Sequence, residues 1–289
     1  MSNMNKTAEA LTNYPLSDVL ASYADDCTPE ALSYFNQEFK AFKQHATSPL
    51  VYIREGSELP NGIDRLFLFL AGPSGVGKET IERIITLNRR SSFITKAVSH
   101  TTRPIRTEQR NGQIVETEKQ GVDYHFVSEN EMDDLQTAGA FLEIPSGQVQ
   151  GRYATTINSV HLAFEAAKVV LSTAEVTGWD EIKKNLSSTI ENLPILTVFC
   201  MLTGISFRDY RDEHLRKFRP TTFRDRAAKS AQELEIAALE AEVLILNPYT
   251  EVESDMGMDA SNALFSLLSI MGLKEEFSET ISFERNARG

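Results

Sequence analysis

Cysteine is scarce: 289 residues carry only Cys27 and Cys200, far apart in the chain. A disulfide framework is excluded, and a reduced, cytoplasmic protein is the simplest inference. No apolar run approaches the length of a membrane span, and the N-terminus lacks the basic-then-apolar pattern of a secretion signal. Internal repeats and low-complexity tracts are missing as well. Positive charge is in deficit, with 29 Lys and Arg against 41 Asp and Glu and a net charge of -12. That balance argues against a general nucleic-acid binder. A small anionic substrate would have to be met by local positive charge. One stretch supplies it: Lys78, Arg83, Arg89, Arg90, Lys96, Arg103, Arg106 and Arg110, against only Glu79, Glu82 and Glu108. The length suits one large domain or a domain with extensions.

What is present is organised around Leu66–Thr80, LFLFLAGPSGVGKET. The apolar run Leu66–Ala71 reads as a buried parallel strand. It breaks into Gly72, Pro73, Ser74, Gly75, Val76, Gly77 and Lys78, and helical spacing follows at Ile81, Ile84 and Ile85. Strand, glycine loop and helix together predict a phosphate-binding loop. Backbone N–H groups and the helix N-terminus hold phosphate oxygens, and Lys78 adds a mobile charge. A plain glycine turn would not need a lysine there. The pattern wants Ser or Thr after the lysine, as a Mg²⁺ ligand; here Glu79 intervenes and Thr80 follows.

Ahead of this strand, residues 1–63 read as a partly helical extension. Residues 1–16 are polar. Thr28-Pro29-Glu30 predicts a helix start, after which Leu32, Phe35, Phe39 and Phe42 fall on one face. Leu50–Ile53 suits a strand. Beyond the loop, strands are expected at Phe93–Val98, Gly121–Val127, Ala140–Ile144, Lys168–Val176, Ile195–Leu202 and Val243–Leu246. Helices are expected at Glu129–Ala138, Ile157–Lys168, Trp179–Leu186, Glu233–Glu240 and Ser261–Leu273. Thr107–Thr117 is too hydrophilic for core, Ser206–Lys229 is dense in charge of both signs, and Lys274–Gly289 is a polar tail. Alternating strands and helices predict an α/β fold with a mostly parallel sheet covered on both faces. Ligands in such sheets bind beyond the carboxyl ends of the strands, where the loop, Glu175 and Asn247 all fall. Glu143 stands inside an apolar stretch, and a buried carboxylate needs a partner.

Several short motifs recur in one order: GPSGVGK, S-x-T-T-R-x-x-R from Ser99, G-x-D-Y-x-F-V from Gly121, Phe141-Leu142-Glu143, and Tyr153-Ala154-Thr155. From about Leu66 to Asn247 the chain resembles the guanylate kinase family, P-loop enzymes that move a phosphoryl group from ATP to GMP. The resemblance implies a P-loop kinase fold over residues 64–273, with a GMP-binding part near 99–156 and a lid near 206–229. It implies that Ser99, Arg103, Arg106, Tyr124 and Tyr153 hold the GMP phosphate, that Glu143 accepts from guanine N1–H and the 2-amino group, and that Thr155 reaches O6. A further family glutamate is Glu118, counted back from Gly121, or Glu108, counted forward from Arg106. Asn247 matches the residue that reads the adenine of ATP. ATP and Mg²⁺ are the implied cofactors, with Thr80 near the metal. The implied partners are the substrates ATP and GMP, without nucleic acid or membrane.

Four departures accompany the resemblance. Glu79 replaces a usual Ser. Thr173 and Glu175 stand where two aspartates are usual. Ala154 replaces a Gly. In the lid, Arg226 fits the third arginine, whereas the earlier pair has Arg216 and Arg219 as candidates. Three readings follow: an active guanylate kinase, a relative with another acceptor or weakened activity, and a non-catalytic binding module. Retention of Lys78 argues against the last, and Glu143 with Thr155 argues for a guanine acceptor.

Overall fold

The computed structural model describes residues 15–42, 50–87, 93–148, 151–173, 175–210, 212–213, 216, 223–250 and 257–273. The polar segment 1–14, the C-terminal tail from residue 274, Arg89, Arg90 and Arg219 lie outside them.

The central sheet has seven strands in the order β1-β2-β13-β12-β3-β11-β4. The strands are β1 (Phe39–Ala41), β2 (Val51–Arg54), β3 (Leu66–Ala71), β4 (Ile94–Lys96), β11 (Val169–Ser172), β12 (Ile195–Thr203) and β13 (Val243–Pro248). Five of them, β4, β11, β3, β12 and β13, run parallel. All six residues of β3 are buried, as a strand covered on both faces requires. Among the described residues no helix is long and apolar enough to cross a membrane.

The extension is built into this sheet. β2 pairs antiparallel with β13, and β1 pairs antiparallel with β2. Helix α1 (Leu16–Ala21) precedes α2 (Pro29–Glu38), whose N-terminus is capped by the Thr28 side chain with Pro29 in the first turn. The predicted helical stripe is corrected at its end. The helix stops at Glu38, so Phe39 lies on β1 and Phe42 beyond it; both still pack on the core. Strand pairing to β2 has overridden the helical spacing.

Tyr23 makes the most consequential contact of the extension. At the entry to β12 the Pro194 C=O accepts from Phe67 N–H of β3 (2.9 Å), while at its far end Thr203 C=O accepts from Tyr249 N–H on the opposite side (2.7 Å). Even-numbered positions therefore face β3. But β3 ends at Ala71, opposite Phe199, where the chain peels away as the glycine loop. Leu202 lies past that end. Its N–H donates to the Tyr23 hydroxyl (2.7 Å), and the same hydroxyl donates to its C=O (3.3 Å). A side chain from the extension thus satisfies backbone groups that the central strand has abandoned.

A second sheet, β8-β5-β10-β9, comprises β5 (His100–Thr101), β8 (His125–Phe126), β9 (Ser146–Gln148) and β10 (Gly151–Ala154). Ala140–Ile144, expected as a strand, forms only an isolated bridge, Phe141 to Thr156. Thr107–Thr117, too hydrophilic for core, is mainly a hairpin, β6 (Thr107–Arg110) and β7 (Gln113–Glu116). Its turn is Asn111-Gly112, with φ of 51° and 80°, the pair of left-handed residues that a tight hairpin turn demands.

Replacing Tyr23 by Phe removes the only hydroxyl from this packed ring and strands a buried N–H. Urea unfolding should show a loss of about 1–3 kcal/mol, with the denaturant slope unchanged.

Candidate active site

The glycine loop leaves β3 and enters helix α3 (Lys78–Leu87). Gly72 is obligatory: a Cβ there would sit 2.3 Å from the Cys200 carbonyl oxygen. Lys78 is the first residue of α3, and its Nζ donates to the carbonyls of Gly72 and, at 2.9 Å, Pro73. The ammonium is thereby held at the loop. Glu79 points outward with its side chain 76% exposed, 4.0 Å from the Arg106 guanidinium. A carboxylate in the first turn of a helix is favoured by the helix dipole, so Glu79 does not oppose the fold. Thr80 is half-buried beside it.

Facing the loop, Arg103 is 4% exposed and heavily committed. Its Nε donates to the Tyr153 hydroxyl (2.8 Å), one terminal nitrogen to the Pro104 carbonyl (2.9 Å) and Glu118 (2.6 Å), and the other to Glu118 (2.5 Å). The rings of Tyr124 and Phe126 pack against the guanidinium at 5.0 and 5.4 Å. Four of its five donors are engaged, so Arg103 acts largely as a structural cation. Arg106 is freer: Glu118 accepts from its backbone N–H (2.9 Å) and lies 3.6 Å from its guanidinium, which is 34% exposed on the cleft side. Burial works against the Glu118 charge, but the two arginines outweigh it and hold its carboxyl below the usual range. Between Glu118 and Glu108, the competing pair in the sequence, Glu118 is the one the fold brings to these arginines.

Behind them, the Ser99 hydroxyl lies 2.9 Å from that of Thr155, and the Thr155 N–H donates to Glu143 (2.7 Å). Burial pushes the Glu143 carboxyl up to about 7; Thr155 opposes the shift, and the charges of Glu181 and Glu175 add to it. Among the described residues no lysine or arginine offsets the desolvation of this carboxylate.

At the end of β11, Glu175 pairs with Lys229. Helices α4 (Glu129–Thr137), α5 (Ile157–Ala166), α6 (Trp179–Thr189) and α7 (Phe207–Tyr210) precede α8 (Phe223–Glu240), which carries Lys229. Arg226 lies in the same helix, but its side chain is outside the described atoms, as is all of Arg219. Arg216 is exposed. Thr173 donates to Glu82 (2.9 Å), which pairs with Lys96 (3.2 Å). The sequence does not single out Lys229 or Glu82 as site residues. A signal existed for Glu82, four residues after Lys78 and so on the same helix face. Asn247, expected at adenine, is wholly buried at the end of β13, and its Nδ2 donates to the Val76 carbonyl (2.8 Å). In this structure it braces the loop.

Residues 65–191, which span the loop, the arginines and Glu143, match the guanylate kinase family. Over this stretch the chain is similar to guanylate kinases. Among relatives, a guanylate kinase of Enterococcus faecalis is 28% identical over 60% of this chain and 77% of its own length. One from Nostoc is 31% identical over 45% of this chain and 59% of its own, and one from Anaeromyxobacter dehalogenans 36% over 41% and 47%. The chain thus spans about half the length of the latter two. A solved guanylate kinase from Anaplasma phagocytophilum covers 76% of this chain and 92% of its own at 19% identity, with a TM-score of 0.44. Against the guanylate kinase pattern, the position of Thr173 is filled by a hydroxyl that borrows the Glu82 carboxylate from α3.

Because the folded-state Glu143 value of about 7 lies above the ordinary 4.5, the folded chain keeps between those values a proton that the unfolded chain has lost. Stability therefore falls as pH rises through that window. Glu143→Gln should stabilise the unliganded protein by on the order of 2–3 kcal/mol at pH 8 and by little at pH 4, read from urea titrations at both pH values.

Proposed function

We propose that the chain transfers the γ-phosphoryl group of ATP to GMP or dGMP. The observation that carries this reading is Glu143: a desolvated carboxylate tied to Thr155 and Ser99, in the same lobe as a phosphate-sized cluster of Arg103, Arg106, Tyr124 and Tyr153, opposite the glycine loop. Residues 99–156 then form the acceptor-binding part, 206–229 the lid, and 1–63 an extension.

Loop N–H groups and Lys78 hold the donor phosphates. Lys78 exchanges its carbonyl partners for phosphate oxygens, trading neutral acceptors for charged ones. Arg106 meets the acceptor phosphate, with the remaining Arg103 N–H and the hydroxyls of Tyr124 and Tyr153. Glu118 keeps both arginines in place. Glu143 reads guanine N1–H and the 2-amino group, Thr155 reads O6, and Glu175 closes the base pocket once Lys229 yields it. The attacking oxygen belongs to an acceptor phosphate that is already anionic, so no general base is needed; positioning and charge neutralisation do the work. Arg226, with Arg216 or Arg219, covers the developing charge when the lid closes.

Mg²⁺ fits this loop as an ion held mainly by nucleotide phosphates. Thr80 offers one oxygen beside Lys78, and the ion would neutralise charge between the β- and γ-phosphates. Glu79 favours a second reading, a relative with weakened turnover or another acceptor, since its carboxylate stands 4.0 Å from Arg106 where an acceptor phosphate would bind.

A coupled assay offering MgATP with GMP, dGMP, AMP, UMP and CMP should show turnover of the guanine nucleotides; none by folded protein would sink the reading. Lys78→Ala should cost about 100-fold or more in kcat. GMP affinity should drop about tenfold from pH 8 to pH 6 as Glu143 takes up its proton, and Glu143→Gln should flatten that profile and weaken discrimination against AMP.

A further inference from the structure

Four carbonyls of the glycine loop are turned outward onto side-chain donors. Lys78 takes those of Gly72 and Pro73, Asn247 takes that of Val76, and the Tyr210 hydroxyl donates to that of Gly75 at 2.7 Å. A trans peptide unit is planar, so a carbonyl and the next residue's N–H point in opposite directions. Fixing the Gly75 carbonyl therefore fixes the Val76 N–H, and fixing the Val76 carbonyl fixes the Gly77 N–H. The Val76 N–H makes only a long contact, 3.4 Å, to the Pro73 carbonyl. It is held in direction yet weakly engaged.

We propose that Tyr210 is a positioning residue for the donor nucleotide: its hydroxyl anchors the Gly75 carbonyl and so aims the Val76 N–H at a bound phosphate. The inference rests on the reading of this loop as the donor-phosphate site. Tyr210 is well placed for the task. It ends the short helix α7 (Phe207–Tyr210), its ring meets Tyr249 edge-on at 5.8 Å, and burial raises its pKa, keeping the hydroxyl a neutral donor. Helix α7 is itself held by the extension. Phe207 stacks on Tyr23 at 4.6 Å and 15°, and Arg208 pairs with Asp25 at 2.7 Å. A continuous set of contacts thus runs from the extension through Tyr23, Phe207 and Tyr210 to the loop. It gives residues 16–35 a purpose that their sequence does not display: they support the phosphate site from behind.

The test is Tyr210→Phe, which removes one oxygen and keeps the ring. Binding of MgATP, of magnesium tripolyphosphate and of GMP is measured by calorimetry for the full chain and the variant. MgATP and tripolyphosphate should both bind about tenfold more weakly to the variant, with GMP affinity unchanged. The unchanged GMP affinity also reports that the variant is folded. Equal MgATP affinity in both proteins would overturn the proposal. So would a loss seen with MgATP alone, since that would put Tyr210 at the adenosine and not at the loop. Weakening of all three ligands would mark it as a general packing residue and also count against it. Wild-type protein that binds neither MgATP nor tripolyphosphate would instead overturn the kinase reading.

Discussion

Backbone groups at the point where β3 leaves the sheet impose the constraint on which the site depends. A phosphate loop must peel away from a central strand, so the neighbouring strand loses its partner in the middle of the protein. Buried N–H and C=O groups left unpaired are costly. At Leu202 the deficit is met locally, by the Tyr23 hydroxyl; beside it, the close approach of the Cys200 carbonyl leaves room only for glycine at position 72. The same neighbourhood supplies Asn247 and Tyr210 to the loop carbonyls. Sheet completion and loop orientation are therefore one problem with one set of side chains.

The facing lobe solves a different problem, that of keeping cations near a cleft without a bound anion. Arg103 is desolvated and bidentate to Glu118, an arrangement that is stable only because nearly every donor is matched. Arg106 shares the same carboxylate by its backbone and leaves its guanidinium partly open. One cation holds the lobe together and the other is left available. Glu143 has the reverse character: burial raises its pKa, and among the described residues no lysine or arginine offsets that shift.

The parts of the chain most legible in the sequence are those whose chemistry is local. Leu66–Ala71 reads as a strand from composition alone, and Gly72–Lys78 as a phosphate loop from spacing. Thr28-Pro29 marks its helix start correctly. Phe39 and Ala41 were beyond such reading, because a three-residue strand takes its identity from an edge formed by residues near 245. The hairpin at Thr107–Glu116 was legible in Asn111-Gly112, a turn signal hidden by the polarity around it. In the site, Glu143 was readable as a carboxylate among apolar residues. The Thr173–Glu82–Lys96 and Glu175–Lys229 contacts were not, since each joins elements far apart in sequence and nothing local distinguishes those charges from solvated ones.

The bond between Tyr23 and Leu202 joins residues 179 positions apart. On a ribosome adding roughly 5–20 residues per second, Tyr23 emerges roughly ten to forty seconds before its partner. The pairing of β2 with β13 waits longer still. A segment made early thus docks late, and the glycine loop is braced from behind only once Leu202 and β13 have been made. For these contacts, birth order and assembly order run opposite to each other.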